Sequence, residues 1–99
     1  MERIGRWGRL NAESVEEYIR LHREMDHELR MVHSKAGIKN YTIYRRGLDL
    51  FSYLETEDWR AALDFLTADP LVQKWSELMR TLLDEPVPWP LLDEVFHID

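Results

Sequence analysis

The sequence predicts an α+β fold in which helices cover one face of an antiparallel sheet. Apolar side chains recur every three or four residues between positions 14 and 32, which is the period of one face of a helix. Two short runs rich in tyrosine, isoleucine, leucine and phenylalanine follow at 38–45 and 49–54. An Arg-Gly pair separates them, and this arrangement is typical of a β-hairpin.

The first two elements are defined by alternation and by a helix-start signal. Arg3–Leu10 alternates loosely between apolar and polar residues and predicts a first strand. Ser14 and Glu17 form an S-x-x-E capping box, so we expect a long helix to begin there. Its apolar period continues to about residue 33 or 34. Gly37 suits the left-handed conformation that commonly follows a helix end.

The hairpin and a broken helix come next. Ile38–Arg45 and Asp49–Leu54 are the two strands of the hairpin. Trp59–Leu66 predicts a short helix with Thr56 or Asp58 near its cap.

The last third of the chain predicts one more helix and one more strand. Asp69-Pro70 ends the short helix, and Leu71–Leu83 has the apolar period of another. Prolines 86, 88 and 90 indicate an extended linker. Leu91–Ile98 then predicts a final strand.

The resulting order, β-α-β-β-α-β, is the ferredoxin-like pattern, and we expect residues 1–99 to form a single such domain. Both predicted helical regions lie on one sheet face, and the sequence offers no further helix for the other face. We therefore expect a second copy to cover it, sheet against sheet. The predicted assembly is a two-fold homodimer that forms a dimeric α+β barrel.

Composition excludes several classes of function. The formal net charge of −6 argues against a nucleic-acid partner. No stretch approaches the ~20 apolar residues of a membrane helix, and residues 1–6 lack the apolar run of a signal peptide. We therefore expect no membrane partner and a cytoplasmic location. The chain has no cysteine, which excludes thiolate chemistry. Arg3, Arg6 and Arg9 are explained by a solvated sheet edge at least as well as by an anion site.

Tyr18 and His22 lie one helical turn apart on the apolar face of the predicted first helix. A histidine at such a position is more often a hydrogen-bonded core residue than a catalyst. Imidazole nevertheless gains and loses a proton near neutral pH, so this pair is a candidate acid–base site.

Further polar and aromatic residues are expected near that pair. The predicted topology places Asn40 and Tyr41 on the adjacent strand, with Trp59 and Trp75 on the later helices. An aromatic cleft with a few polar groups is the usual form of a small-molecule site.

The chain resembles the L-rhamnose mutarotase family. The matching motifs occur in the family's order along nearly the whole sequence: E-E-Y-x-R-x-H at Glu16–His22, N-Y-x-I-Y at Asn40–Tyr44, V-Q-K-W at Val72–Trp75 and E-V-F-H at Glu94–His97.

The resemblance implies a homodimer of ferredoxin-like subunits that interconverts the α and β anomers of L-rhamnose, a monosaccharide. It implies that His22 is the acid/base, and mutarotation requires no cofactor and no metal. Tyr18 would contact the sugar and could carry the second proton. The remaining positions implied to bind or lie near the sugar are Asn40, Tyr41, Trp59 and Trp75.

Three departures from the family pattern leave the identity of the sugar open. Asp26-His27 stands where typical members have Trp-Pro, and Ser76 replaces the second residue of a Trp-Trp pair in the pocket. The hairpin turn at Arg45–Gly47 is also shorter than usual. Ser76 is therefore included among the expected substrate-binding residues.

Alternatives remain open at this point. A metal site could be drawn from His22, Asp26 and His33, although no H-E-x-x-H spacing supports it. The same dimeric scaffold could instead serve as a non-catalytic binding or sensor domain for small molecules. It could also host a cofactor-independent oxygenase.

Overall fold

The computed structural model describes residues 1–84 and 89–99, so the predicted linker positions 86 and 88 lie outside the described residues. The elements in chain order are β1 (Glu2–Leu10), α1 (Val15–Arg23), α2 (His27–Lys35), β2 (Lys39–Arg46), β3 (Asp49–Thr56), α3 (Trp59–Ala68), α4 (Pro70–Leu82), β4 (Leu83–Asp84) and β5 (Leu91–Leu92). Within these residues, no helix combines the length and apolar character that crossing a membrane requires.

The sheet confirms the predicted ferredoxin-like arrangement. Its strand order is β2-β3-β1-β4, with β5 also paired to β1, and all of these pairings are antiparallel. On the central strands, Leu10, Leu50 and Leu54 are almost completely buried. They contribute to two apolar clusters that also contain residues of the helices, so the core lies between the sheet and one helical layer.

The prediction of one long first helix is wrong, because the structure divides this segment into α1 and α2. The backbone of Asp26 is extended, with φ −57° and ψ 141°, and this residue occupies the N-cap position of α2. The Asp26 side chain makes no capping hydrogen bond, so the break is accounted for by the poor propensity of aspartate for a helix interior. The apolar period continues across the break, and for this reason the sequence predicted one helix.

The predicted capping box is also absent. Ser14 does precede α1, but its side chain makes no capping hydrogen bond. Glu17 instead accepts a hydrogen bond from Nε of Arg20 at 2.6 Å, so its carboxylate is engaged on the helix surface. The prediction for the end of this helical region is confirmed, because Gly37 follows α2 with a φ of +87°, in the left-handed region.

The later helices begin as their sequences indicate. Asp58 caps α3 by accepting a hydrogen bond from the Ala61 amide at 3.1 Å. Asp69 accepts one from the Leu71 amide at 2.8 Å, with Pro70 in the first turn of α4. The Asp69-Pro70 pair therefore ends one helix and starts the next, as predicted.

The predicted final strand over residues 91–98 is much shorter in the structure, where only Leu91–Leu92 pair with β1. Leu92 lies opposite Gly5, so three residues of β1 remain before its start at Glu2, but residues 93–95 form no strand pairs with them. The segment after β5 is held by side chains, since Arg3 donates to both carboxylate oxygens of Glu94 at 2.6 and 3.1 Å.

A glycine on β1 allows Trp89 to pack against the sheet. A Cβ added at Gly8 would lie 2.3 Å from the indole ring, whereas one at Gly5 would meet its nearest atom at 3.7 Å. Trp89 also packs against the cluster that contains Leu10 and Leu50. The absence of a side chain at Gly8 therefore leaves the space that the Trp89 indole occupies.

Replacing Gly8 by alanine is expected to lower the free energy of unfolding by about 1–3 kcal/mol, the usual cost of overpacking, because the indole must move. Chemical denaturation measures this change. Gly5→Ala is the matched control on the same strand, and it should leave stability unchanged or raise it by up to about 1 kcal/mol. Equal stability of the two variants would contradict the packing account.

Candidate active site

A cavity of about 400 Å³ lies between the helices and strand β2. Residues from α1, α2, β2 and α4 contribute to its lining. The polar and aromatic side chains among them are His22, Arg30, His33, Ser34, Tyr41 and Trp75.

His22 is held in one orientation by the helix that carries it. Its Nδ1 donates a hydrogen bond to the backbone carbonyl of Tyr18, one turn earlier, at 2.8 Å. The neutral ring therefore has its proton on Nδ1 and its lone pair on Nε2. The ring centroid lies 4.2 Å from that of Tyr18 and 5.1 Å from that of Trp75, which meets it edge-on.

Burial determines the charge of His22. Loss of water around the imidazole lowers its pKa below the ordinary value, and the hydrogen bond to the Tyr18 carbonyl only partly opposes this effect. At neutral pH the ring is therefore predominantly neutral. Its Nε2 is able to accept a proton.

Tyr18 is a core residue as well as a neighbour of His22. Its side chain is 5% exposed and belongs to the apolar cluster around Leu10 and Leu50. Burial raises the pKa of the phenol well above its usual value, so the hydroxyl stays protonated. Tyr18 can therefore orient His22 through its carbonyl and ring, but it is a poor proton acceptor.

Tyr41 faces the cavity, whereas Asn40 does not. The Tyr41 hydroxyl accepts a hydrogen bond from a terminal nitrogen of Arg6 at 3.0 Å. The Asn40 amide donates to Glu55 at 2.8 Å, and Asn40 adopts the left-handed conformation with φ +51° at an irregularity in the β2–β3 pairing. Asparagine tolerates that conformation better than most residues, so its role is to shape β2 beside Tyr41.

The remaining expected residues are dispersed. Trp75 lines the cavity with His22. Trp59 begins α3 and packs instead near the second apolar cluster, 5.3 Å from the guanidinium of Arg6. Ser76 lies in a separate groove of α4 with Gln73. The structure thus brings together His22, Tyr41 and Trp75 around one cavity, with Tyr18 directly behind His22.

Arg6 is a residue that the sequence analysis placed wrongly. It does not lie at a solvated sheet edge. Its guanidinium lies 5.3–5.8 Å from the ring centroids of Tyr41, Trp59 and Trp89. Its buried Nε has no hydrogen-bond partner among the described residues. The signal was available, because residues 4, 6, 8 and 10 of a strand share one face, and Leu10 is buried.

The described residues do not form the metal site that the sequence left open. Among residues 1–84 and 89–99, no group of three or more histidine, aspartate or glutamate side chains is placed to hold a metal ion. Asp26 is exposed at the N-cap of α2 and does not line the cavity with His22 and His33.

The fold and the cavity together define a class: a ferredoxin-like domain that has a small-ligand site between its helices and sheet. An imidazole with one anchored nitrogen and one free nitrogen, beside aromatic rings, gives this site an acid–base character.

The comparisons with known proteins identify the family. The family model described as L-rhamnose mutarotase matches residues 3–98. A relative from Lactiplantibacillus plantarum named L-rhamnose mutarotase is 33% identical over 106 residues, covering 100% of both chains. The chain belongs to the L-rhamnose mutarotase family, and it is accordingly an isomerase.

Solved structures agree on the fold. A crystal structure of an L-rhamnose mutarotase from Formosa agariphila matches with a TM-score of 0.82 at 21% identity, covering 100% of both chains. A crystal structure described as an antibiotic biosynthesis monooxygenase matches with a TM-score of 0.70 at 19% identity, covering 96% of this chain and 99% of that one. At such identities the likeness concerns architecture alone, which different activities share.

The lowered pKa of His22 predicts how stability depends on pH. The unfolded chain takes up a proton at this residue near pH ~6.5, whereas the folded chain resists doing so until the pH is lower. The unfolded state therefore binds more protons in that window, and the free energy of unfolding falls as the pH decreases below about 6.5.

Chemical denaturation of wild type and His22→Gln at pH 7.5 and pH 5.5 measures this contribution. The other titrating groups are common to both proteins, so the difference between them isolates His22. Wild type should lose more stability than the variant on acidification. An equal loss in both proteins would contradict a lowered pKa for His22.

Proposed function

We propose that this protein interconverts the α and β anomers of L-rhamnose, or of a related deoxy sugar, by acid–base ring opening and closure in the cavity. The observation that carries the proposal is the free Nε2 of His22 at the wall of that cavity, close to Trp75. Membership of the L-rhamnose mutarotase family supports the choice of substrate.

The reaction needs proton transfers at two oxygen atoms of the sugar. The anomeric hydroxyl loses its proton while the ring oxygen gains one, and the bond from C1 to the ring oxygen breaks. Rotation about the bond to C1 then presents the other carbonyl face, and the steps reverse. A neutral imidazole at the wall of this cavity is suited to the first transfer.

The cavity suits a deoxy sugar in size and in the character of its walls. Its volume of about 400 Å³ lies within the range of ordinary small-molecule sites. Trp75 and Tyr41 offer aromatic faces to the C–H surface of the ring, and Ser34 and the Tyr41 hydroxyl offer hydrogen bonds to its hydroxyl groups.

The other expected residues are assigned indirect roles in this proposal. Tyr18 positions His22, and Asn40 positions Tyr41 through the conformation of β2. Trp59 supports Arg6, which holds the Tyr41 hydroxyl. Ser76 has no part in the site, because it faces a different groove.

We also propose that the functional unit is a homodimer formed by the open face of the sheet. On that face, Phe51 lies opposite Trp7 on one neighbouring strand and opposite Tyr44 on the other. Phe51 and Tyr44 are exposed in the single chain, as are the apolar residues Val95, Phe96 and Ile98 near its C-terminus. An aromatic row of this kind in the middle of a sheet is typical of a self-complementary interface.

Replacing His22 by glutamine should reduce the enzyme-catalysed exchange between the α and β anomers of L-rhamnose about 100- to 10,000-fold, the usual contribution of general acid–base catalysis. Magnetisation-transfer NMR at equilibrium measures this exchange. His27→Gln is the matched control, because His27 is exposed at the start of α2. It should keep the wild-type rate.

Other outcomes separate the alternatives. L-rhamnose that binds without faster exchange would favour a sensor domain, and oxygen consumption with a hydrophobic substrate would favour an oxygenase. Wild-type acceleration that survives in His22→Gln would contradict the role given to His22.

Phe51→Glu should weaken dimerisation about 100-fold or more, because burying an unpaired carboxylate costs several kcal/mol. Sedimentation velocity over a range of protein concentrations measures the change. Phe65→Glu on α3 is the matched control, since Phe65 is 45% exposed and Phe51 is 41% exposed in the single chain. A monomeric wild type, or equal effects of both substitutions, would contradict the proposed interface.

A further inference from the structure

Helix α2 carries a second imidazole that faces the same cavity as His22. Nδ1 of His33 donates a hydrogen bond to the backbone carbonyl of Leu29 at 2.9 Å, one turn earlier. This repeats the anchoring of His22 on the Tyr18 carbonyl. When neutral, both rings therefore have their proton on Nδ1 and their lone pair on Nε2.

The surroundings of His33 do not indicate a purely structural role. Among the described residues, no carboxylate forms an ion pair with it, and no carboxylate side chain lines the cavity. The ring is half-buried, and its centroid lies 5.9 Å from that of Tyr41. The other titratable or charged groups around the cavity are Arg30, Tyr41 and His22.

Mutarotation transfers protons at two oxygen atoms of the sugar, and the cavity lining limits which side chains can share these transfers with His22. Tyr18 is buried in the core, where the raised pKa of its phenol makes it a poor acceptor. Arg30 stays protonated at any ordinary pH. Of the cavity-lining side chains in the described part of the chain, His22 and His33 carry the two imidazoles, the side-chain group best suited to proton transfer near neutral pH.

We propose that His33 is the second proton-transferring residue of this site and works with His22 on the two reacting oxygen atoms of the sugar. This assignment rests on the mutarotase function proposed above. It concerns a catalytic residue, because the Nε2 atom of His33 would exchange a proton with the substrate directly.

The proton transfers balance without any further reactant. One imidazole, neutral, takes the proton of the anomeric hydroxyl, while the other, protonated, delivers a proton to the ring oxygen. The bond from C1 to the ring oxygen breaks and a C1 carbonyl forms, which leaves the two rings with their protonation states exchanged. Closure on the other carbonyl face moves one proton back in each direction and restores the starting pair.

The test compares His33→Gln with wild type and with His27→Gln, an exposed histidine on the same helix. Glutamine retains a hydrogen-bond donor but cannot shuttle a proton. For His33→Gln, NMR exchange measured at several concentrations of L-rhamnose should give a kcat about 100-fold below that of wild type, with little change in KM. The His27→Gln control should match wild type.

A second variant separates catalysis from packing. His33→Ala should be partly rescued by added imidazole, which supplies the missing proton carrier, whereas a variant with only a packing defect would not respond. Wild-type kcat in His33→Gln, with activity lost in His22→Gln, would overturn the role of His33 and leave the proposed function intact. A rise in KM alone without imidazole rescue would also overturn it. Failure of wild type to accelerate exchange of any aldose would instead overturn the proposed function, and with it this inference.

Discussion

Leu10, Leu50 and Leu54, on the two central strands, are at most 1% exposed and are the largest fully buried side chains of the described residues. Burying each contributes about 1.5–3 kcal/mol, so a shift of either strand by one residue would expose the core and is strongly disfavoured. This constraint fixes which side chains of β1 and β3 face the helices. Arg6 then lies on the inner face near Tyr41, and Trp7 and Phe51 lie on the outer one. The positions of the site residues and of the proposed dimer surface therefore both follow from which side chains of β1 and β3 face the helices.

Burial has opposite effects on the pKa values of Tyr18 and His22, the two titratable residues of α1 that lie near the core, and leaves both uncharged. It lowers the pKa of the His22 imidazole and raises that of the Tyr18 phenol. No carboxylate lines the cavity within the described residues, although the chain as a whole carries a net charge of −6. A neutral sugar could therefore enter the cavity without displacing a strong ion pair. The positive charge of Arg6 is placed among three aromatic rings.

Local patterns predicted much of this structure, while features that depend on distant contacts were missed. Strand-forming residues around a turn signal placed the hairpin, the helical period placed His22 and Trp75, and the predicted topology placed Tyr41 beside them. The division between α1 and α2 was missed, because the apolar period runs through Asp26 without interruption. The last strand was overestimated, because apolar composition does not determine pairing: the ladder with β1 ends at Leu92, and Glu94 is held by the Arg3 side chain instead.

Side-chain partners were the least predictable part of the site. Asn40 was expected beside the sugar, but Glu55 lies across the β2–β3 pairing and binds its amide. Ser76 follows Trp75 directly, and a helix turns consecutive residues by about 100°, so the two occupy different grooves. His33 was considered only as a metal ligand. On the single long helix that the sequence predicted, a position about three turns after His22 shares its face, and this spacing was the available signal.

In the proposed mechanism, Nε2 of His22 contacts the sugar while Nδ1 stays bound to the Tyr18 carbonyl. Long-range ¹H–¹⁵N spectra of the histidine rings at neutral pH, recorded with and without L-rhamnose, test this contact. We expect that His22 is protonated on Nδ1 and that saturating L-rhamnose shifts the Nε2 resonance of His22 more than its Nδ1 resonance. A ring protonated on Nε2, or His22 resonances unmoved by the sugar, would contradict it.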